Sequence, residues 1–250
     1  MEEPFAFGES FIHRMSPEIK IAAAFILSLP AAVSQYFPVL LLYLGISFCL
    51  VMFADLKPAD LLKRLKPLFL FLLMIWIILP LTAEGQVLYE WYWIKITRPG
   101  LVLCTGITLK SISIVLILTS LLATMPVAAL GNGLQKLHVP DKFVFLLLMC
   151  YRYIAVIEEE YRRLMRAARF RGFKPGTNLH SYKIFAYLAG MLFVRASLRA
   201  QRVHRAMLCR GFNGTFHTLN IYHTNGRDWL FLAGICIISL CLTIYNWSKI

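Results

Sequence analysis

Residues 100–125 read GLVLCTGITLKSISIVLILTSLLATM, and Lys110 is their one charged residue. A helix covers the hydrocarbon core of a bilayer with about 20 mainly apolar residues, within a range of about 17–25. This stretch has that length and that composition. Working outward, four more stretches read the same way: 19–35 (IKIAAAFILSLPAAVSQ), 38–54 (PVLLLYLGISFCLVMFA), 67–82 (PLFLFLLMIWIILPLT) and 228–247 (DWLFLAGICIISLCLTIYNW). Segment 67–82 is slightly short but carries no charge.

Composition agrees with the spans. The 250 residues are 59% hydrophobic and 16% charged, whereas a soluble globular domain is roughly 45–50% apolar. Mean hydropathy is +0.66. So many apolar side chains exceed what a soluble fold of this size buries, which argues against a water-soluble enzyme and against a disordered basic tail. The expected fold class is an all-α polytopic membrane protein of about five transmembrane helices. The N-terminus, MEEPFAFGES, is acidic and lacks the basic start of a signal peptide, so the spans themselves are expected to direct insertion.

Charge sets the orientation. Lys and Arg number 26 against 13 Asp and Glu, a net charge of +13. Residues 123–227 hold 16 of those basic residues and four of the acidic ones, Asp141, Glu158, Glu159 and Glu160. Cytoplasmic segments carry the Lys/Arg excess, which places 123–227 inside. The basic loop 55–66 (DLKPADLLKRLK) goes inside as well. The neutral loop 83–99, with Trp91, Tyr92 and Trp93, suits an outer interface. Residues 1–122 then form a membrane domain of four spans, 123–227 a cytoplasmic domain of amphipathic helices, and 228–250 a closing span. The apolar runs 143–150 and 184–194 are too short to cross and continue into charged helix, so they are expected at or under the membrane surface. Basic charge alone does not indicate nucleic acid here, since the positive-inside bias and an acidic protein partner account for it.

The basic segment contains a repeat. RAARFRGF (166–173) and RAMLCRGF (205–212) agree at five of eight positions with an offset of 39. Upstream, Ile154, Ile157, Tyr161, Leu164, Ala168 and Arg171 follow 3,4 helical spacing, and Phe193, Ala196, Ala200, Val203, Met207 and Arg210 follow it too. In both copies Arg falls in the last helical turn and Gly at the position where left-handed backbone ends a helix. The next Phe can fold back on that turn, and Lys174-Pro175-Gly176 and Asn213-Gly214 prevent continuation. Two equivalent arginine-bearing tips suit a partner with two equivalent sockets, such as a dimer of like subunits. The planar guanidinium fork binds carboxylates and exposed helix carbonyls in fixed geometry.

The chain shows no chemistry of its own. It has no G-x-x-x-x-G-K-[ST] loop, no G-x-S-x-G and no H-E-x-x-H. No Cys-x-x-Cys pair occurs among its six cysteines, and the six histidines lie outside the spans. No catalytic residue, metal site or cofactor is expected. Lys110 is costly within a span and is a candidate for a functional or pairing role. A membrane-bound enzyme would need converging groups, but Glu158, Glu159 and Glu160 are consecutive and point around a helix. A stand-alone carrier would need more polar groups in its spans.

These residues resemble the transmembrane T component of energy-coupling factor transporters, in particular the CbiQ-like permeases of cobalt and nickel uptake. The similarity includes His13-Arg14-Met15-Ser16-Pro17-Glu18-Ile19-Lys20, Leu137-His138-Val139-Pro140, Tyr151-Arg152-Tyr153, Arg169-Phe170-Arg171-Gly172-Phe173 and Ala206-Met207-Leu208-Cys209-Arg210-Gly211-Phe212-Asn213-Gly214. The family's two short coupling motifs are Ala-Arg-Gly; here Phe170 and Cys209 replace the alanine. The resemblance implies that the chain is no enzyme but the coupling component of an importer in the bacterial cell membrane. Its partners would be a cytoplasmic ATPase dimer and a substrate-binding membrane S component, with cobalt ion as cargo and nickel or a vitamin as alternatives. Arg169, Arg171, Gly172, Phe173, Arg210, Gly211 and Phe212 would form the ATPase-docking tips.

Overall fold

A computed structural model describes residues 8, 10–56, 58–82, 87–91, 94–212 and 225–248, with the backbone alone described at residue 11 and over 87–91 and 94–96. Residues 1–7, Tyr92, Trp93, Asn213 and Gly214, and two of the six histidines, His217 and His223, lie outside the described residues. The described helices are α1 (Phe11–Arg14), α2 (Pro17–Val33), α3 (Phe37–Phe53), α4 (Pro58–Thr82), α5 (Arg98–Leu121), α6 (Val127–Lys136), α7 (Asp141–Phe170), α8 (Leu179–Leu208) and α9 (Gly226–Trp247). One antiparallel ribbon, β1 (Val87–Trp91) with β2 (Ile94–Thr97), joins α4 to α5 within the segment read as a loop. The fold is that of an all-α polytopic membrane protein. Helices α4, α5 and α9 are long and apolar enough to cross a bilayer, and α3 is apolar over 17 residues. The chain packs as two units, residues 2–134 with 220–250, and residues 135–219.

The larger unit buries Leu27, Val39, Tyr43, Ile117, Leu121 and Ile235 together, from α2, α3, α5 and α9. Its outer surface is apolar as well. Phe69, Leu70, Leu73, Trp76 and Ile77 of α4 and Trp229, Leu230, Ile237 and Leu240 of α9 are exposed. Such a surface is stable only against lipid, because water would penalise every one of these side chains.

Polar ties set the helix order. At one end of the unit, Asp228 Oδ2 accepts from the Ser16 N–H at 3.2 Å and the Ser16 hydroxyl at 2.6 Å. At the other end, Asn246 Oδ1 accepts from the Ser34 hydroxyl and from the N–H groups of Gln35 and Tyr36, at 3.2–3.3 Å. Helices α2 and α9 therefore run parallel. Between these ties, Ser239 Oγ donates to the Ile26 carbonyl at 2.9 Å. Pro30 lies within α2, and proline has no N–H to give the carbonyl four residues earlier. Ser239 supplies the missing bond, as a backbone group shielded from water requires.

Lys110 resolves in the same way. Its Nζ donates to the Ala32 carbonyl at 3.1 Å, in the last turn of α2. A cation there satisfies an orphan carbonyl and meets the negative end of the helix dipole. Lys20, 1% exposed, donates to the carbonyls of His13 and Thr124, both at 3.4 Å. It draws α1, α2 and the end of α5 together.

One local feature differs from the sequence reading. Helix α4 begins at Pro58, nine residues before the expected span, so most of the basic stretch taken as a loop is helical. Pro67 removes one hydrogen bond without ending the helix, because the Leu, Lys and Arg residues before it favour helix. Helix α6 presses on the start of α2, where a Cβ on Gly133 would lie 3.0 Å from backbone atoms of Pro17 and Glu18. Replacing Asp228 by Ala strands both buried Ser16 donors and is expected to cost about 1–3 kcal/mol. Thermal unfolding of the detergent-solubilised protein measures this, and an unaltered midpoint would contradict it.

Candidate functional site: two helix tips

Helices α7 and α8 are each 30 residues long and form the smaller unit. Helix α8 starts cleanly after Lys174-Pro175-Gly176: Asn178 Oδ1 accepts from the Ser181 N–H and Ser181 Oγ from the Gly176 N–H, both at 3.1 Å. The two helix ends are alike bond for bond. Gly172 N–H donates to the Arg169 carbonyl at 3.0 Å and Phe173 N–H to the Ala168 carbonyl at 3.1 Å. In the second copy, Gly211 N–H donates to Leu208 at 3.0 Å and Phe212 N–H to Met207 at 3.1 Å. Gly172 has φ +83° and Gly211 φ +80°. This is the doubly bonded glycine stop that the repeat predicts.

Arg169, Arg171 and Arg210 are exposed, as are Gly172 and Gly211. Among the described residues, none of these arginines has an ion-pair partner. Phe170 is 90% exposed beside Arg171. The phenylalanines after the glycines turn inward instead. Phe173 is buried against Phe185 of α8, with ring centroids 5.7 Å apart, and Phe212 lies 5.4 Å from Phe145 of α7. Each tip is thus pinned by an aromatic contact with the opposite helix, and the helices run antiparallel with the tips at opposite ends.

The 3,4 spacing marks α7's inner face and, on α8, includes the inward Ala196 but also the outward Phe193. Leu164, Ala168 and Arg171 line the cleft between the helices, whereas α8 contributes Ile184, Leu188 and Met191 in place of Phe193, which is 75% exposed. The first half of α8 is apolar around most of its circumference, so periodicity there does not single out one face.

The three glutamates also separate. Glu158 pairs with Arg162 at 2.5 Å and Glu159 with Arg163 at 3.5 Å, one turn on. Glu160 bonds Arg195 of α8. That hydrogen bond holds the Glu160 carboxyl below the usual carboxylate range; partial covering opposes it, and the charges of Arg195, Arg163 and Arg199 add to the lowering. A group depressed on folding stabilises above its ordinary pKa, about 4.3 for Glu, and loses that effect as pH falls through the folded value. Among the described residues no cluster of three His, Cys, Asp or Glu side chains is placed to hold a metal ion.

A helical unit with an apolar outer surface and a hairpin bearing two exposed cationic tips define a polytopic membrane protein with a separate two-helix unit. The family model described as CbiQ, cobalt transport protein, matches residues 8–219, and the chain belongs to this family; with the relatives that follow, this makes it a T component of an energy-coupling factor transporter. It is 26% identical over 248 residues, 93% of each chain, to the energy-coupling factor transporter transmembrane protein EcfT of Lacticaseibacillus paracasei. Identity to the protein of that name in Bacillus subtilis is 29% over 222 residues, 83% of this chain and 82% of the relative. For Lactococcus lactis it is 28% over 258 residues, 97% and 96% of the two chains. These relatives are named as transporter membrane components, not as enzymes.

Gly172→Ala and Gly211→Ala each force a side chain into left-handed backbone and are expected to destabilise their tips by about 1 kcal/mol. Gly190→Ala, inside α8 and facing open space, should be neutral or stabilising. Faster limited proteolysis in the first two variants alone is the expected pattern. Amide protection around Glu160 should hold from about pH 8 to about pH 5 and fall below about pH 4. Constant protection down to about pH 3 would contradict the pairing.

Proposed function

We propose that this chain is the coupling component of an energy-coupling factor importer, passing the motion of a cytoplasmic ATPase dimer to a substrate-binding membrane subunit for uptake of cobalt ion. The observation that carries the proposal is the pair of helix ends: the same glycine stop, the same two hydrogen bonds and an exposed arginine in each, 39 residues apart. Two like tips on one chain suit two like sockets on a dimer. An unpaired guanidinium retains its full fork for a partner's carboxylates or helix carbonyls. Arg171, Gly172, Arg210 and Gly211 make the docking contact, Arg169 adds charge beside the first tip, and Phe173 and Phe212 hold the tips rigid from behind. Residues 1–122 and 228–250 serve as the membrane part, and 123–227 as the coupling part on the cytoplasmic side of the bacterial inner membrane. The chain acts as scaffold and lever and supplies no reacting group. The cargo assignment rests on the description of the family; the names of the relatives carry no ion.

Changing Arg171 and Arg210 together to Glu is expected to abolish cobalt uptake and to weaken capture of the ATPase subunits by about a hundredfold or more, with membrane insertion unchanged. Wild-type uptake in that variant would remove the docking role. Uptake of nickel or a vitamin in place of cobalt by the wild-type transporter would revise the cargo and leave the lever.

A further inference from the structure

We infer that the Glu160–Arg195 pair is the pivot that sets the angle between α7 and α8, and with it the place of each tip, which makes these two side chains positioning residues for coupling. The inference rests on the docking role proposed above. Three observations carry it. First, Glu160 alone of the three glutamates reaches the other helix, and its side chain is 13% accessible against 50% for Glu158 and 72% for Glu159. Second, the carboxylate is held from both sides. One oxygen bonds Arg195, and the other lies 3.7 Å from Arg163 of its own helix. Third, the helices close tightly here and open elsewhere. Val156, Ile157 and Glu160 meet Leu192, Arg195, Ala196 and Arg199 with only about 20 Å³ between them. Towards Arg171 the gap widens to a cleft of about 640 Å³.

At 1.5 Å per residue, Arg171 stands about 16 Å beyond the pivot along α7, and Arg210 about 22 Å beyond it along α8. Because the tips lie at opposite ends, they are separated by up to about 40 Å. A turn of about 10° between the helices moves the Arg210 tip by about 4 Å, enough to take an arginine out of its socket. A fully exposed ion pair would not resist such a turn. A partly covered carboxylate gripped by two guanidiniums, one on each helix, does so through geometry as well as charge.

The test measures the angle between the helices through the distance between two neighbouring helix ends. In the full-length chain, spin labels are placed at the exposed Cys209, at the end of α8, and at Phe143→Cys, at the start of α7 on the same side of the pivot, with the other cysteines replaced by alanine. The distance distribution is expected to be narrow with the native pair, to broaden in Glu160→Gln, and to broaden further in Glu160→Arg and in Arg195→Glu. It should narrow again when Glu160→Arg and Arg195→Glu are combined. In the unlabelled assembled transporter, each single reversal should lower uptake about tenfold, and the exchanged pair should restore it to within about twofold. An unchanged distribution in all single variants, or an exchanged pair that stays as broad as the single reversals, overturns the pivot. The distances are read without the ATPases, so they decide the pivot separately from the docking role, which the Arg171/Arg210 variant decides.

Discussion

A helix that ends in water at a fixed residue has to satisfy its last carbonyls, and α7 and α8 do so with the same two bonds. The amides of Gly172 and Phe173 close one end, and those of Gly211 and Phe212 the other. Those bonds require a left-handed residue, which glycine adopts at little cost. From this constraint the rest of the hairpin follows. The arginine before each glycine is held at the end of a rigid rod. The phenylalanine after it is turned back to pack on the opposite helix, at Phe185 or Phe145. The rods and the aromatic pins together give two cationic points at a defined separation, which a flexible loop of the same composition would not provide.

The membrane unit is organised by the opposite requirement. In lipid the backbone has no water to fall back on, and the groups left free in and after α2 are satisfied from neighbouring helices. Ser239 serves the carbonyl that Pro30 leaves free, Lys110 serves the last turn of α2, and Asn246 gathers the groups that follow it. These repairs also act as registration marks. They fix α9 parallel to α2 and α5 antiparallel to it, although the large apolar side chains around them would tolerate other arrangements.

Much of this was legible in the chain. Apolar runs near the length a bilayer requires mark the expected spans, and the doubled Arg-Gly-Phe marks two helix stops, because glycine after a basic last turn has few other uses at that spacing. What spacing missed is instructive. Pro67 looked like a helix boundary and is interior to α4, since one lost hydrogen bond does not outweigh the propensity of its neighbours. Phe193 shares the 3,4 stripe of α8 and yet faces outward, since an all-round apolar segment has no preferred side.

By itself, the sequence determined the class of protein and the location of its two tips, because both depend on short-range physics: hydrophobic length and the backbone freedom of glycine. The tertiary structure alone decided which polar groups meet. Asp228 and Ser16 are 212 residues apart, and Glu160 and Arg195 are 35 apart. Nothing in local composition distinguishes Glu160 from the two glutamates before it. One residue is 100° of turn on a helix, and that rotation is what separates a glutamate paired along its own helix from one that reaches across to the other.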